Sequence, residues 1–229
     1  MGHVFIPNPI SDVIVERLQT TNEVTLGYGA SARTWEDVAG TVEATLVRGD
    51  MITAERIRMA PQLKIIARHG VGTNNVDLDA AAAQGVWVTT TPGANAQAVA
   101  EHVFALLLSL TRHTARAAQN VRSGAWNRGR TELVGVQLHG KTLLLLGGGG
   151  IARLVIPIAK GFGMNVLVHD PYLAADVAEE LRVTLIDLEH GLSLADVLSV
   201  HVPLTPSTAG LLDARRLGLM KPGSYIINT

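Results

Sequence analysis

Residues 143–153 read L-L-L-L-G-G-G-G-I-A-R, so that four leucines run into four glycines before an apolar stretch resumes. Four consecutive glycines suit either a flexible linker or a tight turn in which the backbone approaches another group closely. The preceding run Lys141–Leu146 is typical of a buried strand, and Ile151–Lys160 is apolar at helical spacing apart from Pro157. A strand, a glycine turn and a helix in this order favour the turn.

The rest of the chain alternates between short apolar runs and amphipathic stretches. Most of the apolar runs are continuous, as in parallel strands that are covered on both faces. The alternation therefore predicts an α/β fold with parallel sheets. The predicted strands are Val4–Ile6, Val24–Leu26, Ala44–Val47, Lys64–Ala67, Val86–Thr89, Thr142–Leu146, Asn165–His169, Val197–His201 and Ser224–Asn228. The predicted helices include Asp12–Leu18, Leu78–Gln84 and Ala174–Leu181.

One long helical pattern, from Asn95 to about Val121, interrupts this rhythm. The stop signal Thr91-Pro92-Gly93 precedes it. We therefore expect two domains, an α/β unit over residues 1–93 and a nucleotide-binding unit over residues 94–229.

The end of the long helical pattern carries further expectations. A turn over residues 123–129 is predicted to end the helix, and Trp126 within it is expected to pack in a core. An apolar stripe on the helix predicts either helix packing or a dimer face. Its members are Val103, Leu106, Leu107 and Leu110.

Composition excludes several classes of function. With 19 Lys and Arg against 20 Asp and Glu, the 229-residue chain has a net charge of -1, which does not favour binding to nucleic acid. The absence of cysteine excludes disulfides and thiolate metal sites and fits a reducing compartment. The eight histidines lack the paired spacing of a metal site, so no metal is expected. The start does not read as a signal peptide, and Val103–Leu110 is far shorter than the roughly 20 residues that span a bilayer. We expect a cytoplasmic protein without a membrane partner.

The glycine stretch fits the G-x-G-x-x-A pattern of a dinucleotide site at Gly147, Gly149 and Ala152. The first glycine makes the turn, the second lets the backbone approach a pyrophosphate, and the alanine keeps the helix close to the strand. Asp170 follows Gly147 by 23 positions, at the end of the next predicted strand, where a carboxylate binds the ribose hydroxyls and repels a 2′-phosphate. NAD is therefore favoured over NADP. A plain strand-to-helix turn, or a methyltransferase, also accounts for the pattern.

Several longer stretches extend beyond this motif. The chain resembles the D-isomer-specific 2-hydroxyacid dehydrogenase family, in its D-3-phosphoglycerate dehydrogenase-like branch. The matching stretches are A-R-H-G-V-G-T-N-N-V-D-L (67–78), T-P-G-A-N-A-Q-A-V-A-E-H (91–102), G-A-W (124–126), L-H-G-K-T-L-L-L-L-G-G-G-G-I-A (138–152), F-G-M-N-V-L-V-H-D-P (162–171), S-V-H-V-P-L-T-P-S-T (199–208) and M-K-P-G-S-Y-I-I-N-T (220–229).

The resemblance implies two Rossmann-like domains, a flavodoxin-like substrate domain and an NAD-binding Rossmann domain, with the active site in the cleft between them. It also implies a homodimer that uses the helix near residues 95–121. The implied cofactor-binding residues are Gly147, Gly149, Gly150, Ile151, Asp170, Pro171, His201, Pro203, Thr208, Asn228 and Thr229. The implied substrate-binding residues are His69, Gly70, Val71 and Gly72, which are joined as a candidate by Arg48 at a predicted strand end.

The sequence departs from the family pattern at three places. Gly150 stands where an Arg is usual, so that NAD binding is weaker or Arg153 substitutes, and Asn74 stands where an Asp is usual. The catalytic Arg, Glu and His of the family are expected beyond Thr229, so no catalytic residue is expected within the chain. Both domains are accordingly expected to be incomplete at their carboxyl ends.

Some of these residues also have a simpler interpretation. Arg48 is either an anion-binding residue or a solvated loop residue, Arg68 lies at a similar strand end, and His69 either lines the substrate cleft or does not. The histidines expected to be ordinary hydrogen-bonded residues are His102, His113, His139 and His190.

The sequence as a whole predicts an NAD-dependent oxidoreductase that interconverts a small anionic D-2-hydroxy acid and its 2-keto acid, with 3-phosphoglycerate favoured. The alternatives are a non-catalytic NAD-binding regulator of corepressor type on the same fold and a naturally short relic.

Overall fold

The computed structural model describes residues 1–127 and 131–229. The chain divides into two compact units, Met1–Ala94 and Asn95–Thr229. Part of the turn predicted over residues 123–129 lies outside the described residues.

The first unit holds a parallel sheet of five strands in the order β2-β1-β3-β4-β5. This is the flavodoxin-like strand order. Its strands are β1 (His3–Ile6), β2 (Glu23–Leu26), β3 (Ala44–Val47), β4 (Ile65–Arg68) and β5 (Trp87–Thr89). Its helices are α1 (Asp12–Gln19), α2 (Trp35–Val38), α3 (Ala54–Met59) and α4 (Leu78–Ala83).

Helix starts in this unit follow local side-chain chemistry. The Thr34 hydroxyl accepts from the Asp37 N–H while the Asp37 carboxylate accepts from the Thr34 N–H, which forms a capping box at the start of α2. Asp77 caps α4 by accepting from the Ala80 N–H at 2.9 Å. The helices bury their apolar faces on the sheet against residues such as Ile66, which is fully buried in β4.

The second unit also holds a parallel sheet of five strands, in the order β10-β9-β6-β7-β8. Numbered from β6 as the first strand and read from the β8 edge, this is the Rossmann order 3-2-1-4-5. Its strands are β6 (Thr142–Leu146), β7 (Asn165–His169), β8 (Thr184–Leu185), β9 (Val197–Val200) and β10 (Tyr225–Asn228). Its helices are α5 (Ala96–Thr111), α6 (Thr114–Arg122), α7 (Gly150–Gly161), α8 (Ala175–Glu180), α9 (Leu188–Leu194) and α10 (Ala214–Leu217), with a 3₁₀ turn at Thr131–Leu133.

The four leucines of β6 divide between the two faces of this sheet. Leu143 and Leu145 pack in the core cluster that includes residues of α5 and α7. Leu144 and Leu146 pack on the opposite cluster with Leu188 and Leu192 of α9. A central parallel strand is covered on both faces, which is why this run is continuously apolar.

The predicted strands and the α/β class are confirmed, and the short strand β8 was not predicted. The single helix over residues 95–121 is wrong, because α5 ends at Thr111 and α6 begins at Thr114. Between them His113 adopts the left-handed backbone conformation, with φ of 52°. The Val136 N–H donates to the Thr111 carbonyl at 2.8 Å, so a distant segment satisfies the backbone where α5 ends.

The expected core position of Trp126 is also wrong, since its side chain is 64% exposed. The residue follows the end of α6, a helix without buried residues. No core therefore lies beneath this segment within the described residues.

Candidate cofactor site and substrate loop

The glycine turn after β6 requires a glycine at position 147. Its φ of 98° lies in the region that L side chains rarely adopt. A Cβ there would lie 3.1 Å from the carbonyl carbon and oxygen of His201, at the end of β9. The Gly147 N–H donates to the His169 carbonyl at 2.9 Å, at the end of β7. Gly147 therefore fits the turn between the ends of two neighbouring strands.

The next glycines open the turn towards solvent. Gly149 is the N-cap of α7 and supplies no capping side chain. Gly149 and Gly150 are exposed, and a Cβ on either would meet no atom within 4 Å. The N–H groups of the first helical turn lack intrahelical acceptors, and the helix dipole makes this end attractive to an anion. Ala152 is fully buried in the core cluster beneath, which holds α7 close to the sheet.

Asp170 lies beside this turn, directly after β7. One carboxylate oxygen, Oδ2, accepts from the Gly148 N–H at 2.8 Å, and Oδ1 accepts from the Tyr172 N–H at 2.8 Å. Each oxygen retains a second lone pair, so the carboxylate can still accept from a ribose diol. This arrangement fits a dinucleotide. It combines a buried glycine turn, a helix N-terminus without a capping side chain, and a half-buried carboxylate beside them.

Arg153 is the cationic residue of the first turn and a half of α7. Its Nε donates to the Gly148 carbonyl at 3.4 Å, so its side chain runs back along α7 towards the glycine turn. Side chains on a helix lean towards its N-terminus, which explains this direction. The exposed guanidinium thus lies beside the turn, although its α-carbon is three residues beyond Gly150.

The other predicted cofactor residues lie along the same carboxyl edge of the sheet. His201 follows β9, Asn228 ends β10 with Thr229 after it, and Ile151 and Pro171 adjoin the glycine turn and Asp170. The Thr208 hydroxyl accepts from the Thr205 N–H at 2.8 Å and donates to the Pro203 carbonyl at 2.5 Å. Thr208 therefore shapes the loop after β9.

His201 is held in a neutral form by its surroundings. Burial lowers the pKa of its imidazole to about 4. Its Nε2 lies 2.8 Å from the hydroxyl of Ser199, a fully buried residue of β9, and its Nδ1 is buried without a partner among the described residues. Sequence analysis placed His201 at the edge and missed Ser199, which the alternation of side chains along a strand brings to the same side.

The predicted substrate residues of the first unit cluster at the carboxyl ends of β3 and β4. Val47 pairs with Arg68 across these strands, and the His69 N–H donates to the Val47 carbonyl at 2.8 Å. Arg48 follows Val47 and is exposed, as are His69, Val71 and Gly72. Two guanidinium-bearing residues therefore end adjacent strands.

Arg68 is held in place by a network that sequence analysis missed. Its Nε donates to the Asn75 Oδ1 at 3.2 Å, and the buried Asn75 donates from Nδ2 to the Asp50 carbonyl at 2.8 Å. Its Nη1 donates to the His69 carbonyl, and the guanidinium lies over Gly70, whose φ is 151°. Within the described residues neither Arg68 nor Arg48 has a carboxylate partner. Both positive charges are therefore available to an anion.

Metal-binding and membrane-spanning features are also absent from the part of the chain that the structure describes. No three His, Asp or Glu residues in it form a group able to hold a metal ion. No helix in it has the length and hydrophobicity that crossing a membrane requires.

Comparison with known proteins matches both units. Residues 4–134 match the catalytic domain of the D-isomer specific 2-hydroxyacid dehydrogenases, and residues 104–229 match the NAD binding domain of the same family. The chain belongs to the D-isomer specific 2-hydroxyacid dehydrogenase family.

Individual relatives agree with this assignment. D-3-phosphoglycerate dehydrogenase of Synechocystis is 35% identical over 229 residues, covering 100% of this chain and 41% of that protein. The enzyme of the same name from Mycobacterium leprae is 43% identical over 187 residues, covering 81% of this chain and 35% of that protein. The chain thus spans well under half the length of these relatives.

Solved structures share the fold. The TT0316 protein from Thermus thermophilus superposes with a TM-score of 0.88 at 34% identity, covering 99% of this chain and 73% of that one. D-lactate dehydrogenase from Escherichia coli superposes with a TM-score of 0.81 at 32% identity, covering 100% of this chain and 73% of that one.

Proposed function

We propose that this chain forms the NAD-recognition and substrate-anion part of an oxidoreductase that interconverts a D-2-hydroxy acid and its 2-keto acid. The observation that carries the proposal is the 2.8 Å hydrogen bond between the Gly148 N–H and Asp170, which joins the glycine turn to the ribose-binding carboxylate. Membership of the dehydrogenase family supports the same reaction class. Bound NAD supplies the hydride acceptor for oxidation of the alcohol.

Within this proposal the residues of the second unit bind and orient. The bare first turn of α7 and the side chain of Arg153 receive the pyrophosphate, and Asp170 accepts from the ribose hydroxyls. The edge residues Ile151, Pro171, Pro203, Thr208, Asn228 and Thr229 complete the cofactor-binding set. His201, being neutral and hydrogen-bonded to Ser199, positions the loop after β9 rather than transferring a proton. We assign proton transfer to none of the described residues.

The residues of the first unit are proposed to bind the substrate's anionic groups. In the Gly70-Val71-Gly72 segment the Gly70 N–H donates to the Arg68 carbonyl at 2.9 Å, whereas Val71 and Gly72 are exposed beside His69, where their N–H groups are suited to a carboxylate. Arg48 and Arg68 end adjacent strands without carboxylate partners, which suits a substrate with a second anionic group. This favours 3-phosphoglycerate over D-glycerate, which lacks the phosphate.

The proposal is tested with the whole protein, assayed for NAD reduction with 3-phosphoglycerate and with D-glycerate. Arg48→Gln is expected to lower kcat/KM about tenfold for 3-phosphoglycerate, because a charge-assisted bond is lost, and to leave D-glycerate nearly unchanged. Arg58→Gln, on the exposed face of α3, is the matched control. Equal loss with both substrates would contradict the second-anion assignment.

The reaction class is tested separately from the substrate. Titration of the whole protein with NADH, followed by a panel of 2-keto acids, distinguishes an enzyme from a non-catalytic regulator. Binding of NADH without oxidation by any keto acid would exclude the oxidoreductase and favour the regulator. An absence of NADH binding would overturn the cofactor site itself.

We also propose a homodimer that uses the segment near residues 95–121. The α6 helix has no buried residues, and Leu110, Val121 and Trp126 are each about half exposed or more. An exposed apolar surface of this kind is typical of an interface. Light scattering is expected to give twice the monomer mass, and Val121→Glu is expected to shift the protein to monomer. A wild-type protein that is monomeric at micromolar concentration would contradict the homodimer.

The cytoplasmic location of the protein stays a prediction.

A further inference from the structure

A cavity of about 140 Å³ lies at the amino-terminal edge of the second unit's sheet. It is bounded by the residues that lead into β6, β9 and β10 and by the end of α5. Its polar and turn residues include Lys141, Asp196, Lys221, Gly223 and Ser224. The strand β6 is five residues long, so the glycine turn at its other end is roughly 15 Å away. The cavity is therefore separate from the cofactor site.

Two lysines converge on one carboxylate oxygen at this cavity. The Asp196 Oδ1 lies 3.2 Å from the Lys221 Nζ and 3.9 Å from the Lys141 Nζ. The two ammonium nitrogens are therefore at most about 7 Å apart. A tetrahedral oxyanion, with N···O hydrogen bonds of about 2.8 Å on two of its oxygens, can bridge such a pair.

Both oxygens of the Asp196 carboxylate already have partners. The Asp196 Oδ2 accepts from the Thr142 N–H at 2.8 Å, at the start of β6. Burial by itself would raise the pKa of the Asp196 carboxyl, but the Thr142 N–H and the two lysines lower it below its ordinary value. The group is thus ionised at neutral pH, and one negative charge faces two positive ones. No other carboxylate among the described residues lines the cavity, which leaves one positive charge in excess.

A tight turn presents further donors to the cavity. Residues 221–224 read K-P-G-S, and the Ser224 N–H donates to the Lys221 carbonyl at 3.1 Å. Proline in second place and a glycine with φ of 77° in third place are typical of a type II turn. The Ser224 hydroxyl has no partner among the described residues. The turn therefore places a cation and a free hydroxyl side by side.

We propose that this cavity is a binding site for a phosphate-sized oxyanion, free or as the end group of a small metabolite, held between Lys141 and Lys221 with Ser224 as an additional donor. The site lies at the starts of β6, β9 and β10 of the second unit's sheet. The glycine turn lies at the opposite edge of the same sheet. The site is independent of the proposed function, because none of its residues belongs to the cofactor or substrate sets.

The test is a titration of the 229-residue chain with inorganic phosphate in chloride buffer, followed by calorimetry, with and without saturating NADH. Phosphate can also bind at the glycine turn, which NADH occupies, and at the proposed substrate-anion residues Arg48 and Arg68, so the titrations are made in an Arg48→Gln, Arg68→Gln background. Lys141→Gln and Lys221→Gln are each expected to raise the phosphate Kd about tenfold, as expected for loss of a charge-assisted bond. Lys221→Arg, which keeps the charge, is expected to restore binding. Glycerol 3-phosphate, titrated in parallel, is expected to show the same dependence on both lysines.

The matched control is Lys160→Gln, since the Lys160 Nζ donates to the Leu181 carbonyl at 2.7 Å at the surface of the same unit. Its phosphate Kd is expected to equal that of the wild type. Failure of the wild-type chain to bind phosphate would overturn the proposal. Equal Kd values in the wild type and both Lys→Gln variants would overturn it as well, because the ion would then be adventitious.

Discussion

The Asp170 carboxylate accepts a hydrogen bond of 2.8 Å from the Gly148 N–H, which fastens the end of β7 to the glycine turn after β6. A Cβ on Gly148 would lie 2.8 Å from the Leu173 side chain and 3.4 Å from the Asp170 Oδ2. The acidic residue and the turn therefore form one structural unit. Changes at either are expected to alter the same ligand-binding property.

Asp170→Asn is expected to reduce the preference for NADH over NADPH about tenfold, on the scale of one charge-assisted bond. The amide keeps an oxygen for the Gly148 N–H but removes the negative charge that repels a 2′-phosphate. Fluorescence titration with each nucleotide gives both dissociation constants. Asp176→Asn, on the exposed face of α8, is the control, and an unchanged ratio in Asp170→Asn would refute the assignment.

Gly147→Ala and Gly149→Ala are expected to separate folding from binding. Gly147→Ala is expected to lower the free energy of unfolding by about 1–3 kcal/mol, because φ is 98° and the His201 backbone is close. Gly149→Ala is expected to leave stability nearly unchanged, since its Cβ meets no protein atom. It is expected to weaken NADH binding, because the methyl group occupies the approach to the helix start. Urea denaturation and NADH titration of both variants check this pair.

Gly150→Arg is expected to tighten NAD binding several-fold. Gly150 is exposed, and a side chain there meets no atom within 4 Å and points from the first turn of α7. A guanidinium at this place adds a cation beside the pyrophosphate. Gly150→Gln is the matched control, since both variants gain helix propensity and only one gains charge. Equal dissociation constants for the two variants would count against this placement of the turn.

His201 is expected to make the folded state sensitive to acid. Its pKa is lowered to about 4 in the folded protein by burial, whereas the unfolded chain has the ordinary value near 6.5. Below pH 6.5 the unfolded chain binds a proton that the folded one does not, so stability falls as the pH drops towards 4. The loss is expected to reach up to about 3 kcal/mol. Denaturation curves at pH 7, 5.5 and 4.5 measure it.

The control for this prediction is His201→Asn, which cannot titrate in this range. The difference in stability between wild type and His201→Asn is expected to shrink as the pH falls from 7 to 4.5. His190→Asn, at an exposed position, is expected to leave the pH dependence unchanged. A wild-type profile parallel to that of His201→Asn would contradict a neutral, buried imidazole.

Features that depend on neighbours in the chain could be predicted from the sequence. The strands are continuous apolar runs, and Leu143–Leu146 must be covered on both faces whatever the rest of the fold is. The spacing from Gly147 to Asp170 corresponds to one strand-helix-strand unit, so it predicted that the carboxylate lies at the turn. The resemblance to the family was carried by the same local stretches.

Features that depend on residues far apart in sequence became visible once the fold was known. The helix predicted over residues 95–121 is interrupted where the Val136 N–H donates to the Thr111 carbonyl. The local sequence around His113 does not predict this hydrogen bond. Trp126 is exposed because no element covers it among the described residues. Helical periodicity reports which face is apolar, but only packing decides where a backbone group finds its partner.

The same limit applies to the candidate sites. Sequence analysis placed the proposed cofactor residues at one edge because they follow the ends of strands, and a parallel sheet brings such ends together. It missed the Asn75 that holds Arg68, and it missed the convergence of Lys141 and Lys221 on Asp196. These residues are brought together by the pairing of separate strands and by turns, so their interaction exists only once the sheets have formed.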